Sequence, residues 1–226
     1  MVTISVVNAT WGERYHQFIP RFWAGVESLK RKPDEVLIVV GPETEAIMRE
    51  STPKGFRRIT KIVVADHSEF NDFWHLGFSS ASGDWLAGCS IDDWFLPDAL
   101  SEIDAADAAG CELVCDSVVL HPSGNVFEGR WDAEQIFTSL VMPGVAPMKR
   151  GLYDRVGGFD RDIYFSDWGL YIKAAVSGVK VYQTSVQRIV YDEGVDHQTM
   201  SGPLKDAGID NMAHDQIRDL VRRLRG

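Results

Sequence analysis

Positive charge is scarce in this sequence: 23 lysines and arginines stand against 33 aspartates and glutamates, a formal net charge of −10. A protein that grips a nucleic-acid backbone needs a positive field, so this balance excludes that partner. It does not exclude a nucleotide, which needs only one local site. Cysteine is rare as well. Cys89, Cys111 and Cys115 are too few for a disulfide framework, and Cys111 with Cys115 lacks a second ligand pair for zinc. The three read as reduced, buried, small apolar residues. Long apolar runs are missing: the longest uncharged stretch, residues 136–148, falls short of the roughly 18 needed to cross a bilayer. The start, Met1 to Val7, has no basic region ahead of its apolar residues and does not read as a signal peptide. Asn8-Ala9-Thr10 matches a glycosylation sequon, which without a secretory signal is a coincidence of sequence. The expectation is a soluble, cytoplasmic protein with no transmembrane segment. Neither common phosphate loop, G-x-x-x-x-G-K-[ST] or G-x-G-x-x-G, is present.

What is present is ordinary globular composition, 45% hydrophobic and 25% charged over 226 residues, enough for one sizeable domain. Residues 4–8, 36–40, 59–65 and 85–90 read as short strands that are apolar throughout. Helical stretches follow them: one reaching Lys30, one over 43–50, one over 70–82, and one opened by Pro97-Asp98-Ala99-Leu100 and stopped by Gly110. Strands apolar on both faces belong to a parallel sheet covered by helices on both sides. After Gly110 the texture changes. Residues 112–120 and 125–129 flank His121-Pro122-Ser123-Gly124 and predict a hairpin; a helix over 166–177, strands over 179–184 and 187–191, and an amphipathic helix over 215–225 complete the chain. The sequence therefore predicts a single α/β domain over 1–226, with a mostly parallel sheet and a smaller antiparallel element in its second half.

Parallel sheets bind ligands beyond the carboxyl ends of their strands. Just past the fourth strand stands Asp92-Asp93, in Ser90-Ile91-Asp92-Asp93-Trp94. Two adjacent carboxylates repel, and a hard cation relieves that repulsion while leaving coordination positions for diphosphate oxygens. The plainer alternative is that one of the pair caps a turn or a helix start. With no glycine loop and no basic cluster, a phosphate-bearing ligand depends on such a cation.

The surrounding motifs sharpen this. Ala81-Ser82-Gly83-Asp84-Trp85 leads into the fourth strand and Asp92-Asp93-Trp94-Phe95-Leu96-Pro97 follows it; further on stand Arg150-Gly151, Gly157-Gly158-Phe159-Asp160 and Ser166-Asp167-Trp168. In this order the chain resembles the GT-A nucleotide-sugar glycosyltransferases, above all the large inverting group called family 2, over roughly residues 3–201. The resemblance implies a Rossmann-like GT-A fold, with a nucleotide-binding half at about 1–95, an acceptor half at about 96–200 and a helical tail at 205–226. The implied activity is sugar transfer from a nucleoside-diphosphate-sugar donor to a hydroxyl acceptor (a glycan, a lipid-linked group or a protein) with inversion and with Mn2+ or Mg2+.

By position, Asp92 matches the last aspartate of the D-x-D motif and Asp93 the extra aspartate beside it, so the resemblance makes Asp92 and Asp93 metal and diphosphate ligands. His197 stands where related sequences complete the metal site. Asp167 matches the general base, the group that takes the acceptor's proton; residue chemistry alone reads Ser166 as an N-cap and Asp167 as a first-turn acid on the helix dipole. Asn8, Ala9 and Thr10 follow the first strand, where the family binds base and ribose, and Gly41 and Glu43 follow the second, where it often carries an aspartate that reads uracil. Departures are visible. Ser90 replaces the first aspartate of D-x-D, Ser166 replaces a glutamate, and Trp74-His75 replaces an Arg-Asn pair. The changes at Gly41-Pro42-Glu43 and at Trp74-His75 bear on donor recognition, and with Ser90 they make a non-catalytic nucleotide-sugar or glycan-binding protein on the same fold an alternative; a sugar nucleotidyltransferase is another, although residues 8–13 lack its glycine-rich basic loop. Trp11, Trp74, Trp94 and Trp168 lie beside the candidate loops, where indoles stack on sugars or bases or simply fill interfaces. The arginines of the tail, 218, 222, 223 and 225, lie on an amphipathic helix that could touch a membrane surface or a lipid-linked acceptor; the plainer expectation is that it packs its apolar side on the domain or on a second copy in a homodimer.

Overall fold

The computed structural model describes residues 1–65, 70–142, 144–194 and 207–225. Its first half is built from β1 (Ile4–Thr10), β2 (Glu35–Val40), β3 (Thr60–Val64) and β4 (Trp85–Gly88), all mutually parallel in the order β3-β2-β1-β4. The apolar runs are explained by cover on both faces. Val7, Ala9, Leu37, Val39 and Leu86 meet Phe73, Trp74 and Phe78 of α3 (Phe70–Ser80) on one side. Their sequence neighbours Ile4, Val6, Val36, Ile38 and Trp85 meet Phe22, Trp23 and Val26 of α1 (Ile19–Ser28) on the other. Each residue thus faces one of two cores by simple alternation. A short helix, α2 (Glu45–Ser51), links β2 to β3.

The sheet continues into the second half. Beyond β4 come β8 (Met148–Lys149), β6 (Leu113–His121), β9 (Val181–Asp192) and β5 (Trp94–Phe95), while β7 (Val126–Glu128) pairs β6. The expected hairpin is the antiparallel β6–β7 pair. β4–β8, β6–β8 and β5–β9 are also antiparallel, so this half is mixed. Helices α4 (Ile103–Ala108), α5 (Arg150–Arg155), α6 (Ser166–Val176) and α7 (Ala207–Arg225) complete the layers.

Three sequence expectations change. The two last strands are one strand, β9, whose register against β6 shifts between Cys115 and Val118; there Cys115 pairs Gln183 and Ser117 pairs Gln187. The helix expected from Pro97 starts only at Ile103, because Ala99, Ser101 and Ile103 each donate to a carbonyl three residues back, the tighter turn geometry. The tail helix begins at Ala207 rather than 215 and buries Ala213, Ile217 and Leu220, with Leu220 against Gly169 of α6. Two of its exposed arginines pair within the helix, Arg218 with Asp215 and Arg222 with Asp219 at 3.0 Å, and Arg225 reaches Glu134 at 3.1 Å. All three cysteines are buried and free, and no helix among the described residues is long and apolar enough to cross a membrane.

Candidate active site

From β1 the chain moves to β2 and β3 on one side, then returns to β4 on the other, so the carboxyl ends of β1 and β4 part and open a crevice. A cleft of about 360 Å³ lies there, lined by Ala9, Thr10 and Trp11 after β1 and by residues 88–93 after β4; its opposite wall comes from the second half, including Phe127, Leu140 and Asp167.

Asp92 and Asp93 reach this cleft because β4 ends at Gly88 and a turn, closed by the Asp93 N–H on the Ser90 carbonyl at 3.2 Å, carries the chain to β5. The turn is held from outside. Arg21 of α1 donates to the Asp92 carbonyl and, at 2.8 Å, to the Asp192 carboxylate, while its guanidinium lies 4.3 Å from the Trp94 ring centre. The Asp192 N–H in turn donates to Asp93 Oδ1 at 2.9 Å. Burial, and then the charge of Asp92, push the Asp93 carboxyl well above the usual carboxylate range. Arg21 and Asp192 carry no sequence signal of this role, since 171 positions separate them.

Asp167 enters from the opposite wall in the first turn of α6. Ser166 is not the N-cap expected of it. Phe165 occupies that position, and the Ser166 hydroxyl donates to Asn71 Oδ1 at 2.7 Å, while Asn71 also donates to the Ile163 carbonyl at 2.8 Å. This buried amide ties α3 to the segment that presents Asp167. Burial raises the Asp167 carboxyl above its ordinary range, opposed by the Trp168 N–H that it accepts at 2.8 Å. A carboxylate tuned upward is the better proton acceptor near neutral pH.

The residues expected at the nucleotide end divide. Ala9 and Thr10 line the cleft, and the buried Thr10 hydroxyl has no hydrogen-bond partner among the described residues. Asn8 does not line it: its side chain is fully buried and donates to the Cys89 carbonyl at 2.7 Å, bracing β1 against the loop after β4. Gly41 and Glu43 lie outside the lining too; the Glu43 carboxylate accepts the Gly12 N–H, which holds its carboxyl below the usual range. His197 lies outside the described residues. Of the four tryptophans, Trp11 and Trp74 line the cleft, Trp168 is buried with its indole N–H on the Ile136 carbonyl, and Trp94 stacks on Arg21. Trp74 and Val145 press so closely on Gly88 that an added Cβ would lie 3.2 Å and 2.9 Å from their carbons.

Two motifs that carried the resemblance work as scaffolding. Gly83 abuts β1, where a Cβ would come within 2.6 Å of the Ser5 nitrogen, and Asp84 accepts the Thr3 N–H and hydroxyl at 2.9 and 2.8 Å. Arg150 donates to the carbonyls of Ala81 and Gly83, joining the two motifs. The Gly157-Gly158 turn runs at positive φ, 78° and 66°, where glycine is favoured, and delivers Phe159 into the cleft.

Among the described residues no three His, Cys, Asp or Glu side chains gather as a complete metal-binding group. Asp92 and Asp93 fit the partial ligand set of a cation that shares its coordination with substrate phosphates, one or two carboxylates being usual for such ions.

No family model matches the chain. It is 28% identical over 188 residues to the uncharacterized glycosyltransferase YwdF of Bacillus subtilis, covering 76% of this chain and 68% of that protein. Its fold is similar to that of S. aureus TarS in complex with UDP-GlcNAc, with a TM-score of 0.74, 12% identity, and 98% of this chain and 72% of that one covered. It is also similar to the mannosyltransferase PcManGT from Pyrobaculum calidifontis in complex with GDP-Man and Mn2+, with a TM-score of 0.66, 15% identity, and 99% and 74% covered. The chain has the GT-A fold.

Proposed function

We propose that this chain is a glycosyltransferase that moves a sugar from a nucleoside-diphosphate-sugar to a hydroxyl acceptor, with inversion and with Mn2+ or Mg2+. The observation that carries the reading is the charge of the cleft: Asp92, Asp93 and Asp167 face it, and no lysine, arginine or histidine lines it among the described residues. A diphosphate enters such a site only with a cation, and carboxylates on opposite walls leave room for a reacting sugar between them. The relationship to YwdF and the sugar-nucleotide complexes of the two structural neighbours support it.

In this mechanism Trp11 and Thr10 hold the nucleoside end, Thr10 through its unpartnered hydroxyl. Asp92 and Asp93 would hold a cation, and such a cation would supply positive charge to offset that growing on the departing diphosphate. Asp167 orients the acceptor hydroxyl and takes its proton as the oxygen bonds to the anomeric carbon; the anomeric carbon–oxygen bond to the diphosphate breaks, and the electron pair leaves with the nucleoside diphosphate. Attack from the face opposite the leaving group inverts the anomeric centre.

Asp167→Asn tests the base. It removes the proton acceptor without changing size, so turnover falls by about 10²–10⁴-fold while calorimetry finds nucleoside diphosphate bound with Mn2+ as in the parent. Undiminished turnover refutes the assignment.

A further inference from the structure

No basic side chain lines the cleft, but one stands just behind its lining. Arg14 is exposed, and its guanidinium rests on the neighbouring Tyr15. Arg14 Nη2 donates to the Tyr15 hydroxyl at 3.2 Å, and the guanidinium carbon lies 4.8 Å from the ring centre. Tyr15 itself is buried and lines the cleft. It neighbours both ends of the proposed donor site. Its ring centre lies 5.8 Å from that of Trp11, at the nucleoside end. At the cation end it feels Asp92: burial, and then the Asp92 charge, raise the Tyr15 hydroxyl above its ordinary range, while Arg14 pulls the other way. A diphosphate that joins a nucleoside at Trp11 to a cation at Asp92 runs past this tyrosine. Among the described residues no carboxylate pairs with Arg14, whereas Arg21 is held by Asp192 at 2.8 Å. A neutral hydroxyl is a weaker partner for a guanidinium than phosphate oxygens, which its planar fork grips with two charge-assisted bonds.

We infer that Arg14 is a diphosphate-binding residue, which leaves the Tyr15 hydroxyl and closes its guanidinium on the diphosphate oxygens. This rests on the transferase reading above only in taking a nucleoside diphosphate as the ligand. The movement is one of side-chain rotation. The Arg14 carbonyl accepts the Gln17 side-chain amide at 3.0 Å within the short helical turn Glu13–Phe18, so the backbone stays in place while the long side chain turns. Tyr15 holds the guanidinium close to the site until the ligand arrives, which lowers the ordering cost of the new contact. Arg14 thus adds affinity for the diphosphate and none for the nucleoside.

The test measures binding to the full chain with Mn2+ present. Calorimetry follows UDP, GDP and inorganic pyrophosphate, and NMR titration follows uridine and guanosine, which lack phosphate. The expected result is that Arg14→Gln weakens the best-bound diphosphate by about tenfold or more, with nucleoside affinity and melting temperature unchanged. Arg14→Lys keeps the charge without the fork and falls between the two. Lys32→Gln is the control for bulk charge: Lys32 is exposed ahead of the amino end of β2, at the far end of the strands from the cleft, and its loss leaves diphosphate binding unchanged. Diphosphate binding by Arg14→Gln equal to that of the parent, an equal weakening of the nucleoside, or an equal effect of Lys32→Gln overturns the inference. Nucleoside diphosphate release from sugar nucleotides by the parent protein is measured alongside. Release together with an indifferent Arg14→Gln overturns the role of Arg14 alone. Diphosphate binding that depends on Arg14 without release from any donor upholds the site and counts against the transferase reading. A parent protein that binds none of the three diphosphates overturns both.

Discussion

Arg188→Met is the sharpest structural perturbation this molecule offers. Arg188 is fully buried, with its Nε 2.6 Å from Asp116 Oδ2 and an Nη1 bond of 2.8 Å to the carbonyl of Gly88, at the floor of the cleft. The pair sits where β6 and β9 slip register. Burial pushes the Asp116 carboxyl up to about 6, against the pull of Arg188, and its Oδ1 is buried without a hydrogen-bond partner among the described residues. A folded value above the unfolded one means that stability from this group is complete below the ordinary Asp range and is lost as pH rises through about 6. Removing the arginine raises the carboxyl further. At pH 8 the variant holds an uncompensated buried charge and loses about 3–5 kcal/mol, which for a chain of 226 residues is roughly 6–20 °C of melting temperature. At pH 5 the lone carboxyl is protonated, and the loss shrinks to about 1–3 kcal/mol, that of a neutral group short of a partner. Thermal melts at the two pH values read the difference, and the double variant Asp116→Leu with Arg188→Met recovers most of the pH 8 loss. Equal losses at pH 5 and pH 8, or a double variant no better than the single one, would refute the reasoning.

Other expectations follow from the same contacts. Arg21→Met removes the clasp on the Asp92 carbonyl and Asp192, so the Mn2+ concentration needed for half-maximal nucleotide binding rises by about tenfold or more, with Arg21→Lys intermediate; calorimetry across a Mn2+ series reads it, and an unchanged requirement would discount the clasp. Asp84→Asn weakens the cap on Thr3. The Thr3 N–H holds the Asp84 carboxyl below its ordinary range, so the parent's advantage, cut by solvent screening at this exposed position to about 0.5 kcal/mol, is present above that range and fades as pH falls through it. Denaturant midpoints at pH 7 and pH 3 check this sign.

Much of this structure was written locally, and part was not. The four parallel strands were legible because each is buried on both faces, which leaves a continuous apolar run. Asp92, Asp93 and Asp167 were legible because short motifs carry them; that they share one cleft depends on the strand order and on Asn71 anchoring the residues before α6. Ser166 misled because its side chain serves a distant amide rather than its own helix. Asn8 was assigned to the ligand and instead braces the Cys89 carbonyl. The Arg21–Asp192–Asp93 chain had no local signature, since its members lie far apart in sequence and meet only when β5 and β9 pair.

The central claim, sugar transfer from a nucleotide donor at a cation-dependent cleft, meets its most direct test in nucleoside diphosphate release across a panel of UDP-, GDP- and dTDP-sugars. The account predicts release from at least one donor with Mn2+, loss of release on adding EDTA, and a fall of about 100-fold or more in Asp167→Asn. Nucleotide bound without Mn2+, or bound with it while no donor in the panel is turned over, would contradict it.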